Sequence, residues 1–195
     1  MLILASGSPR RREILTMLGY SYEVCPANAD ETLEPDIPPD AAVAVLAKRK
    51  ALAVAAQHPG DTVLGSDTLV YCGGTVLGKP AGPEEAKAML RLLSGKIHQV
   101  YTGVAVVQGN REEVQVTISE VKFLPLTEQE IECYVATGEP LDKAGAYAVQ
   151  GRGSAFIESI CGDFFAIMGL PSASVVRTLR MFGVEPDESQ FYTAF

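Results

Sequence analysis

Four cysteines stand alone in a chain of 195 residues, Cys25, Cys72, Cys133 and Cys161, with no C-x-x-C pair among them. That spacing argues against a zinc site and a disulfide framework. It fits a chain kept in a reducing cytosol, each cysteine serving as a small buried apolar residue. Histidine is scarcer still: His58 and His98 are the two present, too few for a histidine-rich metal site. No apolar run approaches the roughly 20 residues that cross a bilayer. The apolar start is about four residues long and its positive charges follow it, the wrong order for a secretory signal. A cytoplasmic protein with no membrane partner is therefore expected. Neither G-x-x-x-x-G-K-[ST] nor a strand-to-helix G-x-G-x-x-G occurs, which removes the P-loop and the dinucleotide fingerprint. Ser/His/Asp and Cys/His signatures of nucleophilic catalysis are missing as well.

What is present is ample apolar material, 47% of residues, on an acidic chain of net charge −8. The length suits one domain of ordinary size or two small lobes. An acidic surface is a poor footprint for duplex nucleic acid. Many of the basic residues fall instead in short Gly-rich or motif-like segments, Arg10 to Arg12, Lys48 to Lys50, Lys79, Lys96, Lys143 and Arg152. A basic cleft on an acidic body suits a small phosphorylated ligand.

Strand and helix patterns alternate. Leu2 to Ala5 reads as a short strand, Pro9 to Leu18 as a helix capped by Ser8, and Tyr20 to Val24 as a strand. After an acidic, proline-rich loop, Asp40 caps a long Ala/Val/Leu helix to about Gln57. Thr62 to Gly65 is a buried strand running into Ser66-Asp67-Thr68. A hairpin turns at Gly73-Gly74, a helix spans Pro83 to Leu93, and two long strands flank Gly109-Asn110. Thr127 opens a helix with a capping box to Glu130. Glycine-rich strands and turns fill Gly145 to Asp163, and a last helix runs from Ser172 to Phe182. Hairpins among helices predict a mixed α/β sheet, twisted and flanked by helices.

Several segments bear chemistry. Ser6-Gly7-Ser8-Pro9-Arg10-Arg11 joins a strand, a small-residue loop and an arginine-rich helix start, the makings of a phosphate cradle; a solvated first turn is the plainer alternative. Asp67 at a strand end could bind a divalent cation or activate water, or merely cap a turn. Lys50 falls on the apolar face of its helix, where it must snorkel or meet an anion, whereas Lys48 points away. Lys79 in Gly78-Lys79-Pro80 is either a phosphate contact or a surface turn. Glu31 could complete a metal site with Asp67, or remain a solvated loop charge. Gln150 has a donor and an acceptor end able to read a base edge, or to satisfy a turn.

Taken in order, Leu4-Ala5-Ser6-Gly7-Ser8-Pro9-Arg10-Arg11, Asp30-Glu31-Thr32, Lys50-Ala51, Ser66-Asp67-Thr68, Leu77-Gly78-Lys79-Pro80, Ser94-Gly95-Lys96, Asp142 to Tyr147 through Gln150-Gly151, and Gly169-Leu170-Pro171 resemble the Maf family of nucleoside triphosphate pyrophosphatases over nearly the whole chain. The resemblance implies an inosine triphosphate pyrophosphatase-like (Maf/Ham1) fold: one domain over residues 1–195, two lobes around a central cleft. The polar and then aromatic composition after Val184 predicts a mobile tail over 185–195. The resemblance also implies cleavage of a nucleoside triphosphate between the α and β phosphorus atoms with Mg2+ or Mn2+, and it is compatible with a homodimer. Asp67 would be the proton acceptor, Glu31 and Asp67 the metal ligands, and Ser6, Ser8, Arg11, Lys50 and Lys79 the substrate contacts. Arg10, Thr68 and Gln150 match the branch acting on dTTP and UTP; the sister branch acting on 7-methyl-GTP has Trp, Gln and Glu there. Ser66 stands where alanine is common, and Ala148 where glycine is usual. The alternative to an enzyme is a nucleotide-binding regulator of septum formation without turnover.

Overall fold

The computed structural model describes residues 1–187. Seven strands form one mixed sheet in the order β2-β1-β3-β5-β6-β7, with β4 paired on β3. These are β1 (Leu2–Leu4), β2 (Glu23–Val24), β3 (Thr62–Cys72), β4 (Thr75–Leu77), β5 (Ile97–Gln108), β6 (Arg111–Phe123) and β7 (Ile157–Cys161). Strand β1 runs parallel to both β2 and β3, whereas β3–β4 and β6–β7 are antiparallel. The helices are α1 (Pro9–Met17), α2 (Pro39–Ala55), α3 (Pro83–Leu93), α4 (Glu128–Ala136), α5 (Phe164–Met168) and α6 (Ser172–Met181). The expected mixed α/β architecture is therefore the observed one. No described helix is long and apolar enough to cross a membrane.

The chain divides into two compact units: Met1–Asp67, Thr102–Thr117 and the residues from Gly169 on form the first; Thr68–Tyr101 and Ile118–Met168 form the second. In the first, α2 lies against the sheet through a stripe of small residues. Ala47, Ala51 and Val54 pack on Ile3, Ala5, Val63, Ala105 and Val107, all buried. Alternate strand residues share a face and helix residues three or four apart share a stripe, so each set meets the other whole. Two glycines bring the backbones together: a β-carbon at Gly65 would sit 2.3 Å from the Ala47 carbonyl oxygen, and one at Gly103 would sit 2.2 Å from that of Val43. The second unit packs an edge-to-face aromatic group of His98, Phe123, Tyr147, Phe156 and Tyr134. There the buried His98 Nε2 lies 2.9 Å from the Tyr147 hydroxyl.

Several local expectations change. Ser8 holds the N-cap position of α1, but its side chain makes no capping bond; its own N–H donates to Ser6 Oγ. Pro38, not Asp40, is the N-cap of α2, and Asp40 lies within its first turn; two prolines with suitable φ start the helix early. Strand β2 is two residues long, and β3 continues through Ser66-Asp67-Thr68 to Cys72. The segment from Gly145 to Asp163 does hold turns and a strand, as 3-10 turns at Ala144–Ala146 and Arg152–Phe156 followed by β7, and a further 3-10 turn, Glu139–Asp142, precedes it. Short helix α5 was not legible. Only Cys72 is buried; Cys25 is half-buried and Cys133 and Cys161 are exposed, so burial does not account for all four cysteines. The capping box of Thr127 and Glu130 is present in full. Of the expected tail, Glu185 pairs with Arg180 at 2.9 Å and the Asp187 N–H donates to the Gly19 carbonyl at 2.8 Å; residues 188–195 lie outside the described residues.

Candidate active site

The alternation of β3 sorts its residues. Val63 and Gly65 face α2, and Asp67 shares their side of the strand. On α2, Lys50 follows Ala47 by three residues and precedes Val54 by four, so it belongs to the buried stripe. The close approach at Gly65 lets the two meet. Lys50 Nζ lies 2.7 Å from Asp67 Oδ1, with both side chains 15% exposed, and 2.8 Å from Glu31 Oε1. The buried-face lysine has found two anions rather than snorkelling. Lys48 instead pairs with Glu112 at 2.6 Å on the exposed side, as expected.

Glu31 reaches this point because its loop is held. The Thr32 N–H donates to Asp30 Oδ1 at 2.9 Å, and Arg49 donates to the carbonyls of Asp30 (3.2 Å) and Thr32 (2.6 Å). Arg49 was not among the expected site residues. Its only sequence signal was its place beside Lys50, and its loop partner lies about 18 positions upstream.

Behind Asp67, Ser66 is fully buried and its hydroxyl donates to the Gly169 carbonyl at 2.9 Å. Arg11 Nε donates to the same oxygen at 2.9 Å, and Arg11 Nη1 donates to Ser6 Oγ at 3.0 Å. Ser6 Oγ also accepts the Ser8 N–H at 3.2 Å. The guanidinium is thus fixed at two of its donors, a rigidity lysine could not reproduce. Burial pulls the Arg11 pKa down from its ordinary value to about 10, opposed by the Asp67 charge and assisted by Arg10; the group stays cationic at neutral pH. The Gly169 carbonyl thus anchors both Ser66 and Arg11, a role that residue type does not reveal because a backbone carbonyl is silent in a sequence.

The first unit therefore gathers Ser6, Ser8, Arg11, Glu31, Lys50 and Asp67, with Arg10 half-buried in the first turn of α1. Thr68, Lys79 and Gln150 belong to the second unit. There Lys79 is exposed just beyond β4, and the preceding Gly78 carbonyl accepts the Gly145 N–H at 3.0 Å. Gln150 is exposed on a turn closed by the Gly151 N–H to the Ala148 carbonyl at 3.2 Å.

No group of three or more His, Cys, Asp or Glu residues able to hold a metal occurs among the described residues. Asp67 and Glu31 are nonetheless two hard oxygen donors drawn to one positive charge, a pair that suits Mg2+ or Mn2+ when phosphate and water complete the shell.

The family model for Maf-like proteins matches residues 1–182. A dTTP/UTP pyrophosphatase of Moorella thermoacetica is 53% identical over 186 residues, covering 94% of this chain and 96% of that protein. One from Bacillus pumilus is 47% identical over 185 residues, covering 95% and 98%. Among solved structures, the Staphylococcus aureus Ham1 protein aligns with a TM-score of 0.41 at 11% identity, over 63% of this chain and 71% of that one, a likeness too slight to argue from.

Proposed function

This chain belongs to the Maf family, and from that premise we propose that it hydrolyses dTTP and UTP to the nucleoside monophosphate and pyrophosphate. The observation that carries the reading is the meeting of Asp67 and Glu31 on Lys50, beside a doubly anchored Arg11. A binding-only regulator has no need of a general base, the role this reading gives Asp67.

Asp67 takes a proton from water as the water oxygen bonds to the α-phosphorus. The bond from that phosphorus to the bridging oxygen breaks, and its electron pair leaves with pyrophosphate. Arg11 and Lys50 present fixed positive charge to phosphate oxygens, so the site is organised before the negative charge redistributes. Ser6, Ser8 and the N–H groups at the start of α1 add hydrogen bonds to phosphate. By the resemblance, Lys79 joins in holding the triphosphate, and Arg10, Thr68 and Gln150 read the pyrimidine. Groups matched to a pyrimidine edge are left unpaired by a purine, which is a source of selectivity. Bound by Asp67 and Glu31, Mg2+ or Mn2+ would neutralise charge on the phosphate oxygens.

The test is pyrophosphate release from a nucleotide panel with Mg2+ or Mn2+, read with and without added inorganic pyrophosphatase. Orthophosphate appearing only with the added enzyme, and chiefly from dTTP and UTP, is expected. A purine preference would overturn the assignment of Arg10, Thr68 and Gln150, and binding without turnover of any nucleotide would overturn the enzyme.

A further inference from the structure

We propose that Glu139 is a positioning residue for Gln150, its carboxylate fixing the turn that presents Gln150 to the base; this rests on the reading of Gln150 given above. Glu139 opens the 3-10 turn after α4. Its Oε1 accepts the Tyr134 hydroxyl at 2.8 Å and the Gly153 N–H at 3.1 Å, and its Oε2 accepts the Arg152 N–H at 3.1 Å. The Tyr134 oxygen in turn accepts the Ala148 N–H at 3.1 Å. Glu139 and Tyr134 together therefore grip the backbone on both sides of Gln150, at residue 148 before it and at residues 152 and 153 after it.

The packing between these grips is tight. A β-carbon at Gly151 would lie 2.6 Å from both Glu139 carboxylate oxygens, so glycine there is what lets the carboxylate reach the turn. Ala148 and Val149 are buried, and Gln150 is the residue turned outward between them and Gly151. Burial alone would raise the Glu139 pKa, but the Arg152 N–H, the Tyr134 hydroxyl and the Gly153 N–H outweigh it and hold the carboxyl below its ordinary range. A charged acceptor with three donors is a strong, directional anchor. Such an anchor lowers the ordering cost of presenting an exposed side chain to a ligand.

The experiment measures kcat and KM for UTP and GTP with Glu139→Gln, Gln150→Ala and the double variant, together with thermal unfolding. In Glu139→Gln an amide nitrogen faces a backbone N–H and cannot accept from it. The UTP-to-GTP ratio of kcat/KM is expected to fall by about tenfold, the scale of one recognition hydrogen bond, through KM for UTP with kcat little changed. The double variant is expected to discriminate no worse than Gln150→Ala alone. An unchanged ratio in Glu139→Gln, or losses that add in the double variant, overturns the inference while leaving the enzyme reading intact. A Gln150→Ala variant that keeps its discrimination removes the base-reading role of Gln150 and this inference with it. Should Glu139→Gln fail to fold, Tyr134→Phe removes one of the two grips and must lower the same ratio; an unchanged ratio there is equally fatal.

Discussion

Lys50 Nζ lies 2.7 Å from Asp67 Oδ1, across the contact that Gly65 makes between α2 and β3. Pairing offsets the cost of placing an ammonium on the apolar stripe of a helix. It also places an ammonium beside the carboxylate assigned to water activation, where incoming phosphate oxygens would share it.

Asp67→Asn removes the proton acceptor but keeps the shape and one hydrogen-bonding oxygen. Turnover of UTP is expected to fall by roughly 10²–10⁴-fold, while Lys50 keeps Glu31 as partner and the unfolding midpoint changes little. Pyrophosphate release and thermal unfolding on the same preparation decide it; near-normal turnover sinks the assignment.

Glu31→Gln leaves Asp67 as the remaining carboxylate at Lys50. The Mg2+ concentration giving half-maximal activity is expected to rise by about tenfold or more, and chelator is expected to abolish activity reversibly in the unaltered protein. A metal titration of initial rates checks both; an unchanged half-maximal concentration would take Glu31 out of the metal site.

Gly65→Ala drives a methyl group to 2.3 Å from the Ala47 carbonyl oxygen. Backbone cannot yield as a flexible side-chain end can, so α2 must shift, at about 1–3 kcal/mol of overpacking. In a chain of this size each kcal/mol lowers Tm by about 2–4 °C. Activity is expected to fall further than stability, because the shift carries Lys50 away from Asp67. Calorimetry and rates with full retention of both would show the contact to be dispensable.

His98 predicts a pH dependence of stability. Burial lowers its pKa from 6.5 to about 4. Between those values the unfolded chain binds the proton and the folded one does not, so this contribution is complete above about pH 6.5 and is lost as pH falls toward about 4. The whole shift is worth about 3 kcal/mol. His98→Gln should flatten the acid limb of urea midpoints measured from pH 8 to 4.5, and parallel limbs in the two proteins would refute it.

The amino-acid sequence by itself determined the mixed α/β class, because apolar periodicity and glycine turns act locally. It determined the capping box at Thr127, whose partners are three residues apart, and it carried the ordered motifs that point to the Maf family. It also placed Lys50 on the buried face of its helix. Only the tertiary structure decided what Lys50 meets there, since Asp67 is 17 residues away and Glu31 is 19 residues away in the chain. It alone showed Gly65 and Gly103 as points of backbone contact, Arg49 as the clamp on the Glu31 loop, and the Gly169 carbonyl as the anchor shared by Arg11 and Ser66. Pattern along a chain reports which face a side chain takes; the partner on that face is set by packing between distant segments, and a backbone carbonyl bears no residue-type mark at all.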